Sequence, residues 1–142
     1  MSAGDLYFVD TNVLLYAADG RDRRKQSTAQ QWLDKLWQDG NGRISWQVLH
    51  EYYINAVRKI AVPEPTARDT VEALIAWRPV DSSRGLVQAA WHCMDGAHVS
   101  YWDALVIAAA QRAGCQWLLS EDLQSGQSIS GLTVLNPFLI KQ

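Results

Sequence analysis

Leu6-Tyr7-Phe8-Val9-Asp10-Thr11-Asn12 is the stretch on which the fold turns. Its four apolar residues read as a short buried strand, an acid closes it, and a short helix follows through Val13 to Ala17. Leu118-Leu119-Ser120-Glu121-Asp122 repeats the pattern near the other end, as the tail of a strand over Gln116 to Ser120. Between them, a charged loop over Asp19 to Lys25 precedes a helix over Gln26 to Gln38, whose Ala29, Trp32, Leu33, Leu36 and Trp37 fall at helical spacing. Gly40-Asn41-Gly42 breaks that helix, and Arg43 to Ser45 reads as a short strand feeding a helix from Gln47 to Ile60. Pro63-Glu64-Pro65 stops it, and Thr66 is the expected N-cap of a helix through Trp77. Arg78-Pro79-Val80 reads as an edge strand because of its proline. Helices over Ser83 to His92 and Tyr101 to Arg112 follow, then a last strand at Leu132 to Leu135. Strands separated by helices predict an α/β domain over residues 1–142: a central parallel sheet of four to five strands, flanked by helices on both faces.

The composition is ordinary for a globular chain, with 48% hydrophobic and 20% charged residues in 142. The start carries Asp5 and no basic segment, and the longest apolar run, Ala104 to Ala110, is too short to span a bilayer. Cys93 and Cys115 form neither a Cys-x-x-Cys motif nor a disulfide framework, so buried reduced thiols and a cytoplasmic location are expected. A net charge of −2 neither advertises nor excludes a nucleic-acid partner. Most of the seven tryptophans read as core or oligomer contacts, not base-stacking platforms.

Four acids, Asp10, Glu51, Asp103 and Asp122, stand where an apolar segment ends or a helix begins. In an open parallel sheet, sites form at the carboxyl ends of strands, and the helices that follow start at that same rim. Asp10 and Asp122 follow strands, while Glu51 and Asp103 lie in early turns of helices, so all four can converge. Two carboxylates roughly 4 Å apart repel by about 4 kcal/mol at an effective dielectric of 20. Four gathered together would therefore raise one another's pKa or hold Mg²⁺ or Mn²⁺, which prefer oxygen ligands. Such a site suits hydrolysis of phosphodiesters, by acidifying a water and stabilising the leaving oxygen.

Each residue also has a plainer use. Ser100-Tyr101-Trp102-Asp103 makes a capping box, Asn12 can cap the helix at Val13, and Thr11 can bond locally. Glu51 alone is a helix acid beside the buried face, and Asp122 can cap a loop, with Glu121 competing for the role. Taken together, four acids at the expected rim positions favour the site. The basic run Arg21, Arg23, Arg24 and Lys25 is either a solvated loop or a hold on RNA phosphates. His50-Glu51 lacks the second histidine of a zinc protease, where Ile54 stands, and there is no phosphate loop or nucleophile elbow. No lysine follows a strand as a receiver-like phosphoacceptor needs, and Asn12 occupies the place of an aspartyl phosphatase's second acid.

Val9-Asp10-Thr11-Asn12, Gln47-Val48-Leu49-His50-Glu51-Tyr52, Ser100-Tyr101-Trp102-Asp103-Ala104-Leu105 and Leu118-Leu119-Ser120-Glu121-Asp122 together resemble a PIN domain. In order and placement they are similar to the VapC-type toxins of bacterial toxin–antitoxin pairs, from about Leu6 to Phe138. The resemblance implies a metal-dependent endoribonuclease using Mg²⁺ or Mn²⁺, acting as the toxin of a type II pair. It implies Asp10, Glu51, Asp103 and Asp122 as metal-binding acids, with Glu121 the alternative fourth. Thr11 or Ser120 would orient a carboxylate or water, and Asn12 would support Asp10. The implied partners are RNA, an antitoxin whose C-terminal segment reaches the acids, and a second copy in a homodimer. The rival expectation is a PIN-like module that binds RNA or protein without cutting.

Overall fold

The structure is a computed structural model that describes residues 1–139. Strand β1 (Tyr7–Val9) leads into helices α1 (Thr11–Ala18) and α2 (Arg23–Asp39). Strand β2 (Gly42–Arg43) is followed by α3 (Trp46–Lys59), α4 (Glu64–Leu74), a 3-10 turn at Ile75–Trp77, α5 (Arg84–Ala97) and α6 (Tyr101–Arg112). Strands β3 (Trp117–Leu119), β4 (Ser128–Ile129) and β5 (Leu132–Leu135) complete the order.

The fold is α/β, with a five-stranded sheet in the order β2-β1-β3-β5-β4. The first four strands in that order pair in parallel, and β4 pairs antiparallel to β5. The chain winds from β1 outward to β2, then returns across β1 to β3. The helices fall into two packed groups: α1 packs on α2 and α3, and α3 on α4, while α5 packs on α6 and α6 lies against β3 and β5.

Local chemistry explains the elements. Phe8, Val9, Leu118 and Leu119 are fully enclosed, as strands covered on both faces require. Helix α6 is buried from Ala104 through Ala110, and its alanines let it approach the sheet and α5 closely. Pro65 sits in the first turn of α4, where its missing N–H costs little, so the Pro-Glu-Pro segment starts that helix.

Several boundaries differ from the sequence reading. Helix α1 begins at Thr11 with Asp10 as its cap, not at Val13 under Asn12. Arg23 to Lys25 are not loop but the first turn of α2, because Asp22 caps that turn by accepting from the Lys25 N–H at 3.1 Å. Thr66 lies inside α4 rather than capping it, and α5 runs on to Ala97. The expected strand at Arg78 to Val80 is a single parallel bridge between Val80 and Ser45. Of the tryptophans, Trp77 alone is buried in the core, whereas Trp37, Trp91 and Trp102 are half or more exposed. Among the described residues, no helix is long and apolar enough to cross a membrane.

Candidate functional site

The register of β1 on β3 pairs Val9 with Leu119, so the next residues, Asp10 and Ser120, emerge side by side at the carboxyl ends of the two strands. The Asp10 N–H donates to the Leu119 carbonyl at 3.0 Å and continues the ladder by one rung. This is the place where the winding direction reverses, the crevice in which open α/β sheets put their ligands.

Asp10 is buried, and three groups hold its carboxylate. Oδ1 accepts from the Thr11 N–H at 2.8 Å, while Oδ2 accepts from the Ser120 hydroxyl at 2.7 Å and from Asn12 Nδ2 at 3.4 Å. Asn12 Nδ2 also reaches Ser120 Oγ at 3.3 Å and Asp122 Oδ2 at 3.2 Å. Two amide hydrogens thus serve three acceptors, which accounts for the length of all three contacts. The other end of the same amide accepts the Glu121 N–H at 3.0 Å, and the Asp122 N–H donates to Ser120 Oγ at 3.1 Å. Asn12 therefore ties the end of β3 to the start of α1.

Glu51 enters from α3, where the Thr11 hydroxyl donates to one carboxylate oxygen at 3.4 Å and Gln47 Nε2 to the other at 2.8 Å. Gln47 is a participant the sequence reading passed over, although its position one helical turn before Glu51 was a usable signal. Glu121 turns the other way: its carboxylate accepts from the Tyr16 hydroxyl at 2.8 Å and from the Lys25 ammonium. Lys25 in turn lies 4.6 Å from the Tyr16 ring centre and 5.4 Å from that of Phe138. Nothing local in the sequence marked Lys25 for this task. Asp103 lies half-buried in the first turn of α6, its N–H donating to Ser100 Oγ at 3.1 Å. Among the described residues its carboxylate joins none of these hydrogen bonds.

Burial pushes the Asp10 carboxyl up to about 6, and the charges of Asp122 and Glu51 add to the rise. The hydrogen bonds from Ser120 and Thr11 oppose it without cancelling it. No cation pairs with Asp10 among the described residues, since Lys25 is occupied by Glu121 and Arg21 by Asp19. The cysteines stand outside this chemistry: burial raises both thiols, Cys115 to about 12.

The donor set consists of carboxylates, an amide and hydroxyls, which suits a hard divalent cation. Among the described residues, no three His, Cys, Asp or Glu side chains stand as a ready-made cage. Mg²⁺ does not need one, because it keeps several waters and binds through one or two carboxylates. Asp10 with Asp122 or Glu51 meets that requirement.

A model of the PIN domain matches residues 7–125. A toxin–antitoxin complex from Klebsiella pneumoniae superposes on the chain with a TM-score of 0.69 at 20% identity, over 94% of this chain and 99% of that one. Mycobacterium tuberculosis VapC20, described as a Sarcin-Ricin loop cleaving toxin, does so with a TM-score of 0.63 at 22% identity, over 82% and 91%. At these identities the likeness is one of fold. No curated protein matches the chain.

Proposed function

The chain belongs to the PIN domain family, and from that membership we propose that it is a Mg²⁺- or Mn²⁺-dependent endoribonuclease and the toxin of a toxin–antitoxin pair. One observation carries the reading: a buried carboxylate, Asp10, stands at the sheet's switch point beside two further acids, with no cation paired to it among the described residues. Likeness in fold to a toxin–antitoxin complex and to a toxin described as cleaving the Sarcin-Ricin loop supports the same reading.

In this proposal Asp10, Asp122 and Glu51 hold the ion, and Asp103 completes the acidic rim from the start of α6. The bound ion would supply acidification of an attacking water and charge neutralisation at the phosphate. Ser120 fixes the Asp10 carboxylate in one orientation by donating to Oδ2, and Asn12 sets the separation of Asp10 from Asp122 by donating to both. Gln47 and Thr11 restrain Glu51 from its two sides. Lys25 and Tyr16 engage the Glu121 carboxylate, which supports Asp122 as the acid of that loop that would hold the ion. Water attack at phosphorus breaks the bond to the 3′ oxygen, leaving a 3′-hydroxyl and a 5′-phosphate. A homodimer and a silencing antitoxin belong to the same proposal, as does a cytoplasmic site of action.

The test is cleavage of a mixed pool of labelled RNAs with Mg²⁺, with Mn²⁺ and with EDTA, beside Asp10→Asn and Asp103→Asn. The expected result is metal-dependent cutting, reduced at least a hundredfold in both variants while their folding is retained. Equal cutting by Asp10→Asn would sink the assignment. RNA binding without turnover in any metal would favour a non-catalytic module.

A further inference from the structure

A cleft of about 270 Å³ opens directly off the acidic group, with Asp122 at one end. Leu15 and Ile60 supply apolar surface, Asn55, Tyr16, Lys59 and Arg21 supply polar walls, and the acids Asp19 and Glu121 in the same wall are each paired with a cation. We propose that this cleft seats one nucleotide of a single-stranded RNA next to the scissile phosphate, with Arg21 and Lys59 on its phosphates and Asn55 on the base edge. The proposal rests on the nuclease reading given above and deepens it.

Three features shape the cleft for that ligand. Buried Asp19 holds the Arg21 guanidinium by two bonds, from Nε at 2.9 Å and from Nη2 at 2.8 Å. These occupy two of the five N–H donors of a guanidinium, so three stay free on a side chain that is 73% exposed. The arginine is thus oriented in advance but not used up. Lys59, in the last turn of α3, is exposed and pairs with no carboxylate among the described residues. Asn55 donates one amide N–H to the Glu51 carbonyl at 2.8 Å, which leaves its second N–H and its oxygen for a base edge. The volume lies just below the roughly 300–1,000 Å³ of small-molecule sites, room for one nucleotide and not for a duplex. With a net charge of −2 the chain exerts no general pull on RNA, so strand binding needs local cations.

The experiment has two arms. Affinity for a short labelled single-stranded RNA is measured in the Asp10→Asn background across a salt series. KM and kcat are measured with otherwise native protein. Lys59→Met is expected to raise Kd about tenfold and to flatten the slope of log K against log salt by about 0.7, the loss of one phosphate contact. KM should rise with kcat unchanged, and Lys59→Arg should restore Kd and KM. Arg21→Lys keeps a cation for Asp19 and loses the forked donors, so it should weaken binding without lowering the melting temperature. Lys35→Met, at the far end of α2, serves as the control and should change nothing. Unchanged Kd and KM in both cleft variants, with cutting intact, overturn the cleft and leave the nuclease standing. Lys59-dependent RNA binding without cutting by the native protein would uphold the cleft and overturn the nuclease. Absence of both RNA binding and cutting overturns both.

Discussion

Asp10 sits where a charge is expensive and a proton is available. Burial and two neighbouring acids raise its pKa from 3.8 to about 6, so the folded chain keeps a proton that the unfolded chain has released across that interval. The stabilisation is fully present below about pH 4 and is lost as pH rises through 6, on the order of 3 kcal/mol for such a shift. Asp5 and Asp19 run the opposite way: hydrogen bonds, from Trp117 and Arg21 respectively, lower their pKa, so their contributions fade only below the usual carboxylate range. Metal-free thermal melts of the native chain should therefore fall from pH 4.5 to pH 7.5, while Asp10→Asn should be nearly level over the same span. A native melting temperature that climbs across that span would contradict this account. Residues in this group differed in how far the sequence could place them. Asp10 was legible as a rim residue because it directly follows an apolar strand. The bridge made by Asn12 was not, because its partners Ser120 and Asp122 lie 108 and 110 residues away.

At the scale of elements, the long periodic helices and the strands β1, β3 and β5 were readable, β2 lies slightly earlier than its reading, and β4 gave no signal. Helix α6 announced itself through a continuous apolar run, and α3 through its spacing, since both are fixed by burial of many side chains. Strand β4 has two residues and no alternation to detect; it exists because Ser130 and Gly131 both turn into the left-handed region, making the two-residue turn that returns the chain along β5. Strand β2 is equally short, and its Gly42 has a specific reason. A Cβ built there would stand 2.6 Å from the indole of Trp77, which is itself buried and cannot swing away. Gly42→Ala should cost about 1–3 kcal/mol, read as a lower denaturant midpoint with an unchanged slope. Wild-type stability in that variant would mean that the indole has room to move. The capping of α2 by Asp22 was missed for a different reason: Arg23, Arg24 and Lys25 oppose the helix dipole at that end, and propensity alone reads them as loop.

For the whole molecule, topology does most of the work of assembling the site. The reversal of winding between β1 and β3 brings residues near 10 and near 120 together, and α3 adds Glu51 through the Thr11 hydroxyl, while Asp103 joins none of these bonds among the described residues. That convergence could be anticipated from chain direction alone. The hydrogen bonds that divide the acids into a tied group and a separate Asp103 could not, because they depend on rotamers. If the tied group takes up a cation, Mg²⁺ or Mn²⁺ should stabilise the native chain by RT ln(1 + [L]/Kd), about 2.7 kcal/mol at a hundredfold excess over Kd. Calorimetry should show a higher melting temperature with metal, reversed by EDTA and absent in Asp10→Asn; an equal rise in the variant would place the binding elsewhere.

Both margins of the sheet are two residues long, β2 on one side and β4 on the other. A margin that short offers a neighbouring copy almost no ribbon of free amides to zip onto, which is how sheets recruit one another into fibrils. Crowded or partly melted chains are thus steered toward contacts through helix surfaces such as those bearing Trp37 and Trp91. Precipitates of this protein should be amorphous and redissolve on dilution, without the cross-β order that a longer margin would have invited.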